Sequence, residues 1–90
     1  MTPKELNLAL AERYGGDPKH RVVRNINRAI RTLPGGNEVL DALTIMNASR
    51  NHAHSARAHD RVMACDAAID KLETIRNAME THILKTVRAS

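Results

Sequence analysis

A run of cations without a single acid marks residues 19–36, which read KHRVVRNINRAIRTLPGG. Guanidinium groups bind phosphate and carboxylate through paired, charge-assisted hydrogen bonds. At 100° per residue, the arginines of this segment fall on one side of a helix. The spacing therefore predicts an anion-binding face. Its cations are Lys19, Arg21, Arg24, Arg28 and Arg31.

Local energetics do not explain this face. Like charges one turn apart repel, and cations near a helix N-terminus oppose the helix dipole, by a few tenths to about 1 kcal/mol each. One explanation is an external polyanion, with Asn25 and Asn27 beside the arginines to reach base edges. A second is a plain solvated face. The third is pairing with an acidic stripe further along the chain, either within one subunit or across a dimer. This stripe is formed by Asp66, Asp70, Glu73 and Glu80.

Residues 47–61, which read NASRNHAHSARAHDR, contain no large apolar side chain. Several of their basic side chains recur at helical spacing and extend the predicted basic surface. No two histidines stand four residues apart, the spacing at which one helix holds a metal ion, so we expect no metal and no cofactor. The full predicted binding surface is Arg21, Arg24, Asn25, Asn27, Arg28, Arg31, Arg50, His54, Arg57 and Arg61.

Catalytic chemistry finds no support in the residue types. Cys65 belongs to an apolar stripe, where a cysteine is a core residue rather than a nucleophile. No Ser-His-Asp set can be placed, and no Gly-rich phosphate loop follows a strand. The only aromatic residue, Tyr14, gives no platform for stacking single-stranded bases. We therefore expect a protein that is not an enzyme.

Two early helices must position the arginines. Thr2 and Glu5 form a predicted capping box for the first helix, and the glycines at 15–16 end it. Asp17 then predicts the start of a second helix over residues 18–33, with its apolar residues opposite the arginines. Helix, Gly-containing turn and basic helix loosely follow the helix-turn-helix pattern.

The remainder of the chain is predicted to be helical because residues 37–90 contain neither Gly nor Pro. Asn37 is the predicted cap. The pattern predicts one long helix that is either continuous or kinked within residues 47–61. Its second half carries apolar residues at three- and four-residue steps, which indicate a core or dimer stripe. The main residues of this stripe are Cys65, Ile69, Leu72, Met79 and Ile83.

Composition bounds the size of the core. The chain has 90 residues, 42% of them hydrophobic, but no Phe or Trp, so a second copy is expected to complete the core as a homodimer. The net charge of +4 is concentrated in residues 1–34 and suits a polyanion. One cysteine excludes an internal disulfide and fits a reducing cytoplasm. No apolar run is long enough to span a membrane, so we expect no membrane among the partners.

These observations predict a single all-α domain. Residues 1–34 form a basic two-helix hairpin, which packs on the long C-terminal helical region of residues 37–90, and the whole is a helical homodimer. The favoured function is macromolecular binding by a small regulator that docks its Arg face on duplex nucleic acid. The alternative is an inhibitor or adaptor of the phage or mobile-element type, which blocks an acidic protein surface through the same arginines or through residues 47–61.

Overall fold

The computed structural model describes residues 1–89, and these residues form four α-helices. The helices are α1 (Pro3–Tyr14), α2 (Val22–Arg31), α3 (Gly36–Ser55) and α4 (His59–Arg88). No strand occurs within residues 1–89, which confirms the all-α prediction. Over the same residues, none of the helices combines the length and apolar character that crossing a bilayer requires.

Helix α1 begins and ends where the sequence predicts. Thr2 has an extended backbone, and its hydroxyl oxygen accepts a hydrogen bond from the Glu5 backbone N–H at 3.2 Å. The same hydroxyl donates to the Glu5 carboxylate at 3.1 Å. At the other end Gly15 adopts a left-handed conformation with φ of 76°, and its N–H donates to the Ala11 carbonyl. These contacts satisfy backbone groups that a helix end leaves unpaired.

Helix α2 begins four residues later than predicted, at Val22 rather than at Pro18. Asp17 does accept a hydrogen bond from the Lys19 N–H at 2.9 Å, but the resulting turn is not continued. Arg21 is the N-cap, with an extended backbone at φ −62° and ψ 148°. Lys19 and Arg21 therefore precede the helix, and residues 15–21 form a loop that joins α1 to α2.

The connection between α2 and α3 depends on close backbone packing. Gly35, with φ of 79°, is the N-cap of α3 in place of the predicted Asn37. A Cβ atom on Gly36 would lie 1.8 Å from the carbonyl oxygen of Ile30, so only glycine fits there. The Asn37 side chain accepts a hydrogen bond from Arg31 instead, at 2.9 Å.

The prediction of one long C-terminal helix is wrong, because the chain reverses at residues 56–58. Arg57 adopts a left-handed conformation with φ of 57°, and the Ala58 N–H donates to the Ala53 carbonyl at 2.8 Å. A hydrogen bond that spans six residues and includes a left-handed residue is a common way for a helix to end. The left-handed position is usually a glycine, but here it is Arg57. Helix α4 then returns along α3, as the ion pair between Arg50 and Asp66 requires.

The main core lies at the open end of this hairpin, where α1 and α2 pack on α3 and α4. Its buried residues come from all four helices: Leu10, Ile26, Ala29, Ile30, Leu40, Ile83 and Val87. A smaller cluster of Val39, Leu43 and Ile69 joins α3 to α4. The predicted stripe of α4 is used here: Ile69 and Ile83 are buried, and Leu72 and Met79 pack against the clusters. Cys65 is half-buried.

Candidate anion-binding face

The arginines of α2 differ in whether the fold gives them a partner. Arg21 and Arg24 are exposed, and within residues 1–89 neither side chain makes a hydrogen bond or an ion pair. Arg28 is also exposed, and its Nε donates to the backbone carbonyl of Tyr14 at 3.2 Å. A carbonyl does not neutralise a guanidinium group, so all three side chains keep their charge available to solvent or to a ligand.

Arg31 is the arginine of this helix that the chain itself neutralises. Its guanidinium lies 3.2 Å from the Asp41 carboxylate and 2.9 Å from the Asn37 side-chain oxygen, both at the start of α3. The Arg31 side chain remains 45% exposed, so this ion pair is a surface pair of small energetic value. Arg31 therefore contributes less to an external anion site than the three arginines before it.

The acidic stripe of α4 does not pair with the arginines of α2. Asp66 pairs with Arg50 of α3 instead, and Glu80 pairs with Arg76 one turn earlier on α4 at 3.0 Å. Asp70 and Glu73 make no ion pair within the described residues 1–89. Pairing with this acidic stripe within one chain therefore does not explain the arginine face. An external anion, pairing across a dimer or a solvated face remains.

The two asparagines that were predicted to reach base edges are occupied inside the protein. Asn25 is only 1% exposed, so the prediction that its side chain reaches an external base edge is wrong. Its amide nitrogen donates to the side-chain oxygen of Asn7 at 2.6 Å and to the Asp17 carbonyl at 2.9 Å. Asn27 is half-buried, and its side-chain oxygen accepts a hydrogen bond from Arg76 at 2.9 Å.

The Asn7–Asn25 pair is a structural feature beside the basic residues that sequence reasoning missed. The amide nitrogen of Asn7 donates to the carbonyls of Pro18 and His20, at 2.9 and 2.7 Å. Together with the bond from Asn25 to Asp17, three carbonyls of the loop are fixed by two side chains. The available signal was Asn7 itself, a polar residue one turn before Ala11 on the apolar side of α1.

Glycine is required where this pair meets the loop. A Cβ atom on Gly16 would lie 2.4 Å from the Asn25 side-chain oxygen. The close approach lets the loop settle against α2, where His20 and Arg24 line the same recess. The position of these basic side chains therefore depends on buried hydrogen bonds and not on helical periodicity.

A basic recess lies beside the loop on the polar side of α2. Its volume is about 260 Å³. Guanidinium groups from successive turns surround it, so an anion in the recess could accept several charge-assisted hydrogen bonds at once. Its lining residues are His20, Arg24, Asn25, Asn27, Arg28 and Arg31.

The basic residues of the segment 47–61 form a separate patch. Arg50 is tied to Asp66, whereas His54, Arg57 and Arg61 are exposed around the turn between α3 and α4. His54 stands 18 residues into α3, so it lies about 27 Å from the start of that helix at 1.5 Å per residue. The predicted continuous surface is therefore split between α2 and the tip of the α3–α4 hairpin.

The described residues also bear on the expectation that the chain holds no metal. Residues 1–89 contain no cluster of three His, Cys, Asp or Glu side chains placed to hold a metal ion. No protein-family model matches the chain, and neither a curated protein nor a solved structure shows significant similarity to it. The argument for function therefore rests on the geometry of the basic residues.

Proposed function

We propose that the protein binds duplex nucleic acid, without catalysing a reaction, through the α2 basic patch. This patch is defined as Lys19, His20, Arg21, Arg24 and Arg28. The observation that carries the proposal is that the side chains of Arg21 and Arg24 are exposed and have no partner within residues 1–89. Like-charge repulsion along α2 is unfavourable for folding, and a polyanion would relieve it.

The chemistry of the patch suits phosphate groups. Arg24 and Arg28 are one helical turn apart and flank the recess of about 260 Å³, where both can reach one anion. His20 lines the same recess, although its ring nitrogen lies 3.8 Å from the Asp17 carboxylate. Arginine pairs with phosphate oxygens in a bidentate manner, and such contacts supply most of the affinity in nucleic-acid binding.

Contact with the phosphate backbone, rather than with base edges, is the mode of recognition that we propose. Asn25 is buried, and Asn27 is engaged by Arg76, so neither supports direct reading of base edges. The loop of residues 15–21 is also longer than the three- to four-residue turn of a helix-turn-helix motif. We therefore propose binding that depends on charge and tolerates most sequences.

Salt dependence is the experiment that tests this proposal. If each of the four Lys and Arg side chains of the patch contacts one phosphate, the binding constant should fall with a log–log slope of about −3.6. Affinity would then drop about 100-fold between about 50 and 200 mM salt. Arg24→Ala should reduce the slope by about 0.9. Arg61→Ala at the hairpin tip is the matched control and should leave the slope unchanged.

Failure to bind would favour the rival proposal. If the wild-type protein does not bind duplex DNA or RNA at about 50 mM salt, while its circular dichroism is that of a folded helical protein, the nucleic-acid proposal is refuted. The same patch would then be assigned to an acidic protein surface, as in an inhibitor or adaptor. The exposed side chains of residues 47–61 would be the second contact to test in that case.

We also propose an oligomeric state and a cellular compartment for the protein. The thin core, which lacks Phe and Trp, continues to favour a homodimer. The single cysteine, half-buried at position 65, continues to favour action in a reducing cytoplasm.

A further inference from the structure

Two arginines of the recess beside α2 are held in place by the fold. Arg28 donates through Nε to the backbone carbonyl of Tyr14 at 3.2 Å. Arg31 donates through Nη1 to the side-chain oxygens of Asn37 and Asp41, at 2.9 and 3.2 Å. A guanidinium group has more N–H donors than these contacts use, so both arginines keep donors for a ligand. Because their side chains are already oriented, an anion would bind with a smaller loss of conformational entropy.

The recess carries two positive charges that no carboxylate within residues 1–89 balances. Its arginines are Arg24, Arg28 and Arg31. The first two have no acidic partner in this part of the chain, whereas the third is paired with Asp41. The Asp17 carboxylate lies 3.8 Å from the ring nitrogen of His20, which also lines the recess, and it pairs with none of these arginines. A dianion in the recess would therefore face two uncompensated guanidinium groups.

The volume of the recess, about 260 Å³, suits one phosphate group. If each phosphate oxygen needs the volume of a water molecule in the liquid, about 30 Å³, the group occupies about 120 Å³. The remaining space holds a few bound waters. The arginines come from successive turns of α2, so their N–H groups can approach a phosphate from more than one side. A phosphate that projects into the recess can use these donors more fully than one that lies across its mouth.

Unbalanced negative charge borders the recess on the side of α3 and α4. Arg31 lines both this recess and an adjoining one of about 300 Å³, to which α4 contributes Glu73 and Arg76. Glu80 pairs with Arg76 at 3.0 Å, and Asp41 pairs with Arg31. Glu73 makes no ion pair within residues 1–89, so it leaves the adjoining recess with a net negative charge. A phosphate backbone that continued past Arg31 would be repelled there, whereas a strand that ends in the basic recess avoids this repulsion.

We propose that the basic recess binds the terminal phosphate of a nucleic-acid strand. The inference rests on the proposed function and names the part of the nucleic acid that the recess takes. A terminal phosphate is a monoester, with a charge of about −1.5 to −2 at pH 7 and three acceptor oxygens. A phosphate within the backbone carries one negative charge. The two unbalanced guanidinium groups of Arg24 and Arg28 therefore match the terminal phosphate better, and Lys19 and Arg21 stay available to the adjoining duplex backbone.

Binding to two short duplexes of the same sequence tests this inference. All strand ends carry phosphate in one duplex and hydroxyl in the other. At about 100 mM salt the wild-type protein should bind the phosphate-ended duplex about 10-fold more tightly, which is the gain expected from one added charge-assisted hydrogen bond. Arg28→Lys keeps the positive charge but loses the Nε donor and the planar, paired geometry of the guanidinium group. The ratio of the two affinities should therefore fall to about 2-fold or less.

Arg61→Lys at the hairpin tip is the matched control, since it makes the same exchange on an exposed arginine outside the recess. It should keep the wild-type ratio of affinities. Equal binding of the two duplexes by the wild-type protein would overturn the inference and leave the proposed function standing, whereas binding of neither duplex would refute both. An Arg28→Lys variant that keeps the wild-type ratio, or an Arg61→Lys variant that loses it, would also overturn the inference, because the contact would then lie elsewhere.

Discussion

Replacing Asn25 by Ala tests the buried contact that positions the α2 basic patch. Asn25 lies on the inner side of α2 and is 1% exposed, while the basic side chains of the patch point outward. Its amide joins α1 to the loop through Asn7 and Asp17. The substitution removes these two hydrogen bonds and leaves every charge of the patch in place.

The magnitude follows from three contributions. Two hydrogen bonds are lost, at about 1 kcal/mol each. The Asn7 side-chain oxygen, in a residue 9% exposed, loses its donor, which costs about 1–2 kcal/mol more. In the opposite direction, the Asn25 side-chain oxygen is itself buried without a partner in the described chain. Removing this oxygen stabilises the folded state by about 1–2 kcal/mol. The unfolding free energy should therefore fall by about 2 kcal/mol.

Urea unfolding followed by circular dichroism at 222 nm measures this change. Asn51→Ala is the control, because it makes the same substitution at an exposed helical position and matches the gain in helix propensity. It should change stability by less than about 0.5 kcal/mol. The affinity for duplex DNA should also fall in Asn25→Ala, since the loop that carries Lys19 and Arg21 loses an anchor. If Asn25→Ala is as stable as Asn51→Ala, the assigned role of the Asn7–Asn25 pair is refuted.

Three further substitutions test other parts of the structure. Gly36→Ala should lower the unfolding free energy by about 3 kcal/mol or more, as measured by thermal unfolding, because the new Cβ would lie 1.8 Å from the Ile30 carbonyl oxygen. A loss of stability no larger than that of an exposed Gly→Ala change would show that α2 and α3 are not so close. Arg57→Gly should raise the unfolding free energy by about 0.5–1 kcal/mol, since glycine adopts the left-handed φ of 57° without strain. A decrease in the unfolding free energy would mean that the chain does not reverse at this residue. Asp41→Asn should raise the affinity for duplex nucleic acid a few-fold at low salt, because it frees Arg31 from its surface ion pair. The unfolding free energy should change by less than about 1 kcal/mol. Unchanged affinity would place Arg31 outside the binding face.

The amino-acid sequence by itself determined the features that depend on near neighbours along the chain. The cap formed by Thr2 and Glu5, the end of α1 at Gly15 and the all-α class follow from contacts within a few residues. The apolar side of α4 is also local, because three- and four-residue spacing fixes which side chains share a face. For the same reason the arginines of α2 could be placed on one side of a helix from the sequence alone.

The tertiary structure decided which side chains are free to act. Asn25 and Asn27 share a helix with Arg24, yet contacts with Asn7 and Arg76, which lie 18 and 49 residues away, withdraw them from the surface. Reversal of the chain at Arg57 separates the basic residues of the hairpin tip from those of α2. Periodicity assigns a residue to a face, but burial and pairing depend on which distant segment covers that face. That is why the sequence predicted one continuous basic surface. Only the packing of the helices separated the α2 basic patch, which we propose as the binding site, from the rest of that surface.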